Sequence, residues 1–220
     1  MFDKLFGKKD TKAALPREEG PLKAALGGAL DLDTLSLQAS LAGARPALDL
    51  PNLSPFIVAG FGQAMLDADT QLSRYYDDED RMLQVVAGRG GSAEDIEDLT
   101  VFVPWDSVVP AGRADWDAWT GSDGLIGAKE FDADGIVFTR FWGDGEGRMP
   151  LVQFVEDVET RSGTRRIQQA SMLYARELGN VREMLLLLIQ HDLEDRFGQD
   201  NASIEFMIGY GLNTADVRRV

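Results

Sequence analysis

Short segments in which apolar and polar side chains alternate make up most of the chain after Phe56. Alternation with a period of two is typical of strands that bury one face. The favoured turn pair Asp134-Gly135 indicates a hairpin, and an acidic turn joins two earlier segments. We therefore predict strands at residues 73–76, 82–87, 100–103, 136–142, 151–158, 167–174 and 204–208.

A different pattern, an unbroken apolar run, precedes the C-terminus and predicts a helix. Asn180 stands at the cap position, residues 184–189 are apolar, and Gly198 supplies a stop signal. A second, short helix is predicted after Pro21 from apolar residues at helical spacing. Residues 35–41 are predicted as a short strand. The sequence thus indicates an α+β fold, mostly antiparallel sheet, with one clear C-terminal helix and a short N-terminal helix.

The organisation of the chain indicates a tail followed by one domain. Residues 1–20 are typical of a tail followed by a polar linker that ends at Glu19-Gly20-Pro21, so we predict a flexible N-terminal tail there and a single domain over 21–220. Phe2, Leu5 and Phe6 lie at helical spacing among lysines, which is the outline of a weak membrane-surface anchor. No apolar run approaches the roughly 18 residues that span a bilayer, so we predict no transmembrane segment.

The charge is distributed unevenly along the chain. The net charge is −15, yet residues 1–66 hold seven acidic and seven basic side chains, and residues 160–220 hold eight of each. All of the excess lies in residues 67–159, which hold 22 acidic and seven basic side chains. Such a field repels phosphate backbones and attracts cations and basic partners. We therefore expect no nucleic-acid binding, and a merely solvating surface is the alternative for the acidic segment.

One candidate surface combines this acidity with aromatic side chains. Carboxylates near tryptophans suit a cationic ligand, because the face of an aromatic ring attracts positive charge. Core packing of the tryptophans and polar hairpin turns for the carboxylates are the alternatives. The candidate surface for a cation or a protein partner comprises Asp77, Asp78, Glu79, Asp80, Trp116 and Trp119.

Side chains with catalytic chemistry are scarce in this sequence. The chain has no cysteine, which excludes disulfides and thiolate nucleophiles and favours a cytoplasmic protein. His191 is the single histidine, and no nucleophile or second histidine lies at a useful spacing, so we expect a structural role. The aspartate-rich segments lack the ligand spacing of an EF-hand. We predict no catalytic residue and no cofactor, and a metal site is left open.

Four segments carry a resemblance to a known family. They are RYYDDEDRMLQV at 74–85, the turn at 134–135 leading into 138–142, MLYARELG at 172–179 and IGYGL at 208–212. In this order they resemble the YjfK-like bacterial proteins, a family with a domain of unknown function, from about residue 21 to the end. The family supplies no catalytic residues. Its members tend to be encoded near membrane-remodelling proteins similar to phage-shock protein A and near enzymes resembling glutathionylspermidine synthase. The resemblance therefore implies an accessory role in an envelope-stress or polyamine-related system.

These observations favour a non-enzymatic accessory or adaptor protein that acts through a protein partner. The resemblance implies that this partner is membrane-associated, so a peripheral position at the inner membrane is the alternative to a purely cytoplasmic one. A second hypothesis makes the protein a binder of cations or polyamines through residues 67–159. A carboxylate-metal hydrolase is a third, and it requires acidic ligands that converge in space. The oligomeric state is left open.

Overall fold

The computed structural model describes residues 18–194 and 202–220, and most of these residues lie in strands. Strands account for 51% and helices for 11% of the structure. The strands are β1 (Glu18–Glu19), β2 (Ala24–Ala25), β3 (Ala29–Leu32), β4 (Phe56–Ile57), β5 (Gly60–Met65), β6 (Thr70–Tyr76), β7 (Met82–Gly88), β8 (Ile96–Val108), β9 (Glu130–Ala133), β10 (Ile136–Arg140), β11 (Val152–Thr160), β12 (Gly163–Leu178), β13 (Val181–Asp192), β14 (Ile204–Gly211) and β15 (Val217–Arg219). The helices are α1 (Leu35–Leu41) and α2 (Arg113–Thr120), with 3₁₀ turns at Ala93–Asp95 and Thr214–Asp216. In the part of the chain that the structure describes, no helix has the length and apolar character needed to cross a bilayer.

Eight antiparallel strands close into a barrel. Their order around the barrel is β5, β6, β7, β8, β14, β13, β12 and β11, and β11 pairs again with β5. The β9–β10 hairpin extends the sheet beside β12, where Arg140 lies opposite Tyr174. The pairing of β11 with β5 closes the barrel, and it satisfies backbone groups that these two strands would otherwise leave exposed at open edges.

Over much of the barrel wall both faces are buried, and the two faces belong to separate apolar clusters. Alternate residues such as Leu83 and Leu185 point outward into the larger, outer cluster. On the inner face, Gly209 makes room for the ring of Phe102, which a Cβ at this position would overlap. The inner cluster comprises Met82, Phe102, Leu173, Ala175, Met184, Leu186, Leu188 and Met207.

Segments outside the barrel cover its outer face. Residues 24–58 and 126–138 both supply apolar side chains to the outer cluster. The buried carboxylate of Glu183, on the outer face of β13, ties this cover to the wall. It accepts hydrogen bonds from the Ala47 N–H at 2.8 Å and from the Tyr210 hydroxyl at 2.6 Å. Burial and the hydrogen bond to Glu183 raise the pKa of Tyr210, so its hydroxyl stays a donor.

The predicted C-terminal helix is wrong. Residues Val181–Asp192 form β13, which pairs with β12 along its length and with β14 over much of it. Leu186 and Leu188 face the barrel interior, whereas Leu185 faces the outer cluster. A strand buried on both faces has no polar alternation, so its apolar run is hard to distinguish from a buried helix. Gly198, the predicted stop signal, lies outside the described residues.

The predicted N-terminal helix is also wrong, because β2, a turn and β3 occupy this segment. Lys23 and Gly27 have φ angles of 51° and 81°, which an α-helix does not accommodate. Conversely, residues 35–41 form α1 instead of the predicted strand. The α+β class is therefore replaced by a mostly β fold built on an eight-stranded barrel. The predicted tail falls largely on residues 1–17, outside the described residues.

The seven strands predicted after Phe56 overlap observed strands, but several of their predicted ends are wrong. Strand β8 continues beyond Pro104, where the sequence predicted a stop. The register with β14 shifts at this point, because Met207 pairs with Pro104 and Phe206 pairs with Asp106. Trp105 is thereby left in a bulge. A bulge tolerates the missing N–H of proline, so the strand does not have to end.

Candidate functional site

A cavity of about 1080 Å³ occupies one end of the barrel interior. All eight barrel strands contribute to its lining, and Asp33, helix α1 and residues 212–216 add to its rim. Most of the strand residues in its lining point into the barrel, and most of these inward side chains are apolar. The apolar wall residues are Leu72, Val86, Phe102, Val152, Phe154, Leu173 and Met184.

Apolar side chains at the rim of this cavity are exposed to solvent. Met65, Leu66, Phe141 and Val152 are between 38% and 49% exposed, and all four line the cavity. Exposed apolar side chains around a concave opening are typical of binding sites for apolar ligands or partners. The cavity therefore opens to solvent through an apolar mouth.

Charged side chains at the mouth are mostly acidic. Asp33, Glu97, Asp98 and Asp216 line the cavity, and Arg182 is the basic residue among them. Arg182 is itself paired with a glutamate on the neighbouring strand at 2.8 Å. The mouth therefore presents a negative field that disfavours anionic ligands.

Two polar side chains, Gln84 and Thr100, are only 5% and 1% exposed where they line the cavity, and we call them the floor pair. They stand directly opposite each other in the β7–β8 pairing. Gln84 Oε1 accepts hydrogen bonds from Nε and Nη2 of Arg74, at 3.0 and 2.9 Å. Thr100 Oγ1 donates to Asp98 Oδ2 at 2.9 Å. The cavity therefore has a buried polar patch, bordered by Asp98 towards the mouth, in an otherwise largely apolar wall.

A buried ion pair lies behind the floor pair. Arg74 Nη1 and Glu156 Oε2 are 3.2 Å apart, and the two side chains are 0% and 1% exposed. Glu156 also accepts hydrogen bonds from the Tyr76 hydroxyl and from Gln169 Nε2, each at 2.7 Å. Gly62 on β5 leaves space for Glu156, because a Cβ at this position would overlap the carboxylate. We call Arg74, Tyr76, Gln84, Glu156 and Gln169 the interior network.

Burial fixes the protonation of two members of the interior network. Burial raises the pKa of Tyr76 well above 10, and the nearby Glu156 raises it further. Burial alone would lower the pKa of Arg74, but the neighbouring Tyr76 and Glu156 oxygens outweigh burial and raise it. Tyr76 therefore stays a neutral donor and Arg74 stays a cation at neutral pH. Neither serves as a proton-transfer group there.

A second cavity, of about 540 Å³, lies at the opposite end of the barrel. Its lining includes Tyr76, Asp80, His191 and Glu205. His191 stands on strand β13, so the helix predicted to carry it is absent. No group of three or more acidic or histidine side chains that could hold a metal ion occurs among the residues that the structure describes.

The acidic turn predicted as a cation surface lies between β6 and β7. Asp77 is only 5% exposed, and its carboxylate accepts hydrogen bonds from the Nε and the N–H of Arg81 at 2.5 and 2.9 Å. Asp78, Glu79 and Asp80 are exposed, and Glu79 lies 3.5 Å from Arg81. Asp77 therefore holds the turn together. The binding role of the exposed carboxylates stays a prediction.

The two candidate tryptophans lie on α2, outside the barrel. The Trp119 ring centroid lies 6.5 Å from that of Phe131 and 5.9 Å from that of Phe206. Trp116 and Trp119 are both partly buried against the outer cluster, and neither lines the large cavity. Packing, the alternative considered for these residues, accounts for the observed contacts. A binding role for them stays a prediction.

Sequence reasoning missed the floor pair and the interior network. A signal for one member was present, because Gln84 interrupts the otherwise apolar strand at 82–86. A polar residue in a strand without alternation indicates a buried polar contact. The ion pair behind Gln84 could not be predicted from the sequence, since Arg74 and Glu156 are 82 residues apart and meet only in the closed barrel.

Comparison with known proteins identifies relatives of this chain. The chain is 29% identical over 198 residues to a protein of Escherichia coli (strain K12) named "Uncharacterized protein YjfK", and the match covers 89% of this chain and 87% of that protein. No solved structure matches the chain. A family model described as "Protein of unknown function (DUF2491)" matches residues 1–218. The resemblance to the YjfK-like proteins is confirmed, and the chain belongs to the DUF2491 family.

Proposed function

We propose that this protein is a non-enzymatic binding protein whose barrel holds one elongated, mainly apolar small molecule. The observation that carries the proposal is the cavity of about 1080 Å³ at one end of the barrel. Eight-stranded barrels have an interior that side chains fill or that holds one small ligand. Pockets of roughly 300–1000 Å³ accommodate drug-sized molecules, so the volume suits a single ligand.

The chemistry of the wall supports an apolar ligand. Most inward side chains of the wall are aliphatic or aromatic, and the exposed apolar rim continues this surface to the solvent. Moving apolar surface from water into such a site is favourable by about 25 cal/mol per Å². A ligand that spans the wall from mouth to floor therefore gains affinity along its whole length.

The interior network supports a binding role over an enzymatic one. Its charged members satisfy one another, because Glu156 accepts three hydrogen bonds and Arg74 donates to Gln84 and Glu156. A catalytic acid or base has to reach the substrate and titrate near the working pH. A protein that binds without converting its ligand fits the accessory role that the resemblance implies, as a carrier or sensor that works with a partner.

We expect the protein to bind the neutral apolar dye Nile red in a saturable manner, with one dye per chain and enhanced fluorescence. Val86→Trp places a large ring in the cavity and should weaken dye binding by at least about tenfold, equivalent to about 1.4 kcal/mol. A fluorescence titration measures both values, and circular dichroism checks that the variant remains folded.

Val109→Trp is the matched control for this test. Val109 is 66% exposed and does not line the large cavity, so the same substitution should leave dye binding unchanged. Absence of saturable dye binding by the wild-type protein would contradict the proposal. Equal weakening by the two variants would also contradict it, because the dye would then bind somewhere other than the cavity.

Cation binding is a second candidate function, and one observation favours it. Four carboxylates and one paired arginine line the mouth of the cavity, and two of the four, Glu97 and Asp98, belong to the acidic middle segment. A polyamine would be attracted there by charge, in agreement with the polyamine-related system that the resemblance implies. Salt should weaken such binding, because the screening length falls to about 3 Å at 1 M.

We expect Glu97→Gln with Asp98→Asn to weaken spermidine binding several-fold at low salt, since two charges leave the mouth. The control is Glu94→Gln with Asp95→Asn, which removes the same charge from neighbouring residues that do not line the cavity. Isothermal titration calorimetry at low and high salt provides the measurement. A spermidine affinity that does not depend on salt concentration, or that both double variants lower equally, rules out the mouth as the cation site.

A further inference from the structure

We infer that the ligand carries an uncharged group that both donates and accepts hydrogen bonds, such as a hydroxyl or a primary amide, at its inner end. The floor pair, Gln84 and Thr100, binds this group. The inference rests on the proposed apolar ligand and adds its orientation and its polar chemistry.

Gln84 presents only hydrogen-bond donors to the cavity. Its Oε1 is committed to Arg74, which donates from both Nε and Nη2 at 3.0 and 2.9 Å. This double contact fixes which way the amide points, because arginine has donors and no acceptor. The Gln84 side chain lines the cavity, and its hydrogen bonds within the described residues all run through Oε1, so its Nε2 has no acceptor there. Two N–H donors are therefore available to a ligand.

Thr100 presents an acceptor at the same level. A threonine hydroxyl has a single proton, and Thr100 donates it to Asp98 Oδ2 at 2.9 Å. Its remaining lone pairs are available in the cavity, where Thr100 is a lining residue. Directly opposite residues of an antiparallel pair have Cβ atoms about 5 Å apart, so one small group can reach both side chains. A donor and an acceptor at this separation match a hydroxyl or a primary amide.

The charges around the floor pair favour an uncharged group. A carboxylate entering the cavity would pass the acidic mouth and approach Asp98, although the Gln84 amide could donate to it. An ammonium group would meet the N–H donors of Gln84, with the buried cation Arg74 directly behind them. Either ion would also lose its hydration against an apolar wall, which costs several kcal/mol without a compensating partner. A neutral polar group avoids both penalties.

The test compares ligands that share one ten-carbon chain and differ at the end group. Decanol and decanamide both donate and accept, decyl methyl ether only accepts, and decanoate and decylammonium are charged. Competition against Nile red at about 0.5 M salt screens the field of the mouth. We expect decanol and decanamide to bind about tenfold more tightly than the ether, because a site built for a donor penalises an analogue that lacks it. The charged ligands should bind more weakly than decanol.

Two near-isosteric variants assign this preference to the floor pair. Thr100→Val removes the acceptor, and Gln84→Met removes the donors. Thr100→Val should abolish the tenfold preference for decanol and leave the affinity for the ether unchanged, because only decanol donates to Thr100. Gln84→Met should weaken decanol and the ether alike and leave the preference, because both ligands accept from Gln84. Gln84→Met also removes a partner of Arg74 and can impair folding, so circular dichroism accompanies it. Thr100→Val removes only a hydrogen bond to the exposed Asp98, and it decides the question if the other variant does not fold.

The outcomes separate this inference from the proposed function. If wild-type protein does not bind Nile red, the apolar cavity site and the inference both fail. If the dye binds but decanol has no advantage over the ether, only the inference is overturned. The same holds if the advantage of decanol survives in Thr100→Val. Loss of the advantage in a folded Thr100→Val, with ether affinity retained, supports the inference.

Discussion

Glu156→Gln is expected to lower the free energy of unfolding by about 3–5 kcal/mol, because it leaves Arg74 as a buried cation without a counter-ion. The new amide also brings an N–H₂ group to a position where the carboxylate now accepts from Arg74, Tyr76 and Gln169. At least one of these donors then loses its acceptor. Urea unfolding monitored by circular dichroism measures the loss.

An exposed ion pair between β11 and β12 provides the control for Glu156→Gln. Asp157 and Arg166 lie 3.3 Å apart, nearly the same separation as the buried pair, but both side chains are largely in water. Asp157→Asn should therefore change the stability by less than about 1 kcal/mol. Adding Arg74→Met to Glu156→Gln removes the unpaired buried charge. The free energy of unfolding of the double variant should therefore fall by about 2 kcal/mol less than the two single losses added together. Strict additivity, or equal losses at positions 156 and 157, would show that the ion pair is not desolvated in solution.

Gly62→Ala is the second substitution with a large expected effect. A Cβ at this inward position overlaps the Glu156 carboxylate, so the methyl group has to displace Glu156 from Tyr76 and Arg74. Overpacking of a closed interior costs about 1–3 kcal/mol, and the broken hydrogen bonds of a charged group add about 1–3 kcal/mol more. We expect a total loss of about 3 kcal/mol in the free energy of unfolding.

Gly60→Ala tests whether space, rather than glycine itself, matters on this strand. Gly60 faces inward on the same strand two residues earlier, and a Cβ at this position would meet no atom closer than 3.6 Å. An alanine is accommodated there, so the stability should change by less than about 1 kcal/mol. Similar losses for the two variants in thermal or urea unfolding would argue against the packing of Glu156 on Gly62.

The two substitutions connect the stability of the barrel to its cavity. Arg74 binds Glu156 on one side and orients the Gln84 amide on the other. Moving Glu156 therefore releases a constraint on the Gln84 amide, so decanol and its ether should both bind more weakly to any folded Gly62→Ala protein. The interior network thus separates the two cavities of the barrel and also positions the polar groups at the floor of the larger one.

Part of the candidate site could be predicted from the sequence, and part could not. The concentration of acidic residues in 67–159 was evident, and Glu97 and Asp98 from that segment do stand at the cavity mouth. The tryptophans chosen as a binding surface pack on the outside of the barrel, because large rings contribute most when buried. Asp77 is a candidate by its charge, but its carboxylate accepts hydrogen bonds from Arg81 and from the Glu79 N–H within its own turn.

The sequence by itself determined the strands and the hairpin that depend on short-range patterns. Alternation located the strands around 73–76, 82–87 and 204–208, and the Asp134-Gly135 pair located the β9–β10 hairpin. The motif segments also determined the family. Each of these inferences depends on residues close together in the chain, where turn geometry and the strand period act directly.

Only the tertiary structure decided that residues 181–192 are a strand and that the sheet closes. The apolar run at 184–189 carries no alternation, because closure buries one face in the barrel and the covering segments bury the other. A helix buried on all sides has the same composition, so the choice depended on partners that β12 and β14 supply. The cavity and its floor depend on the same closure, since Gln84, Thr100 and Glu156 become neighbours of one interior space only when β11 pairs with β5.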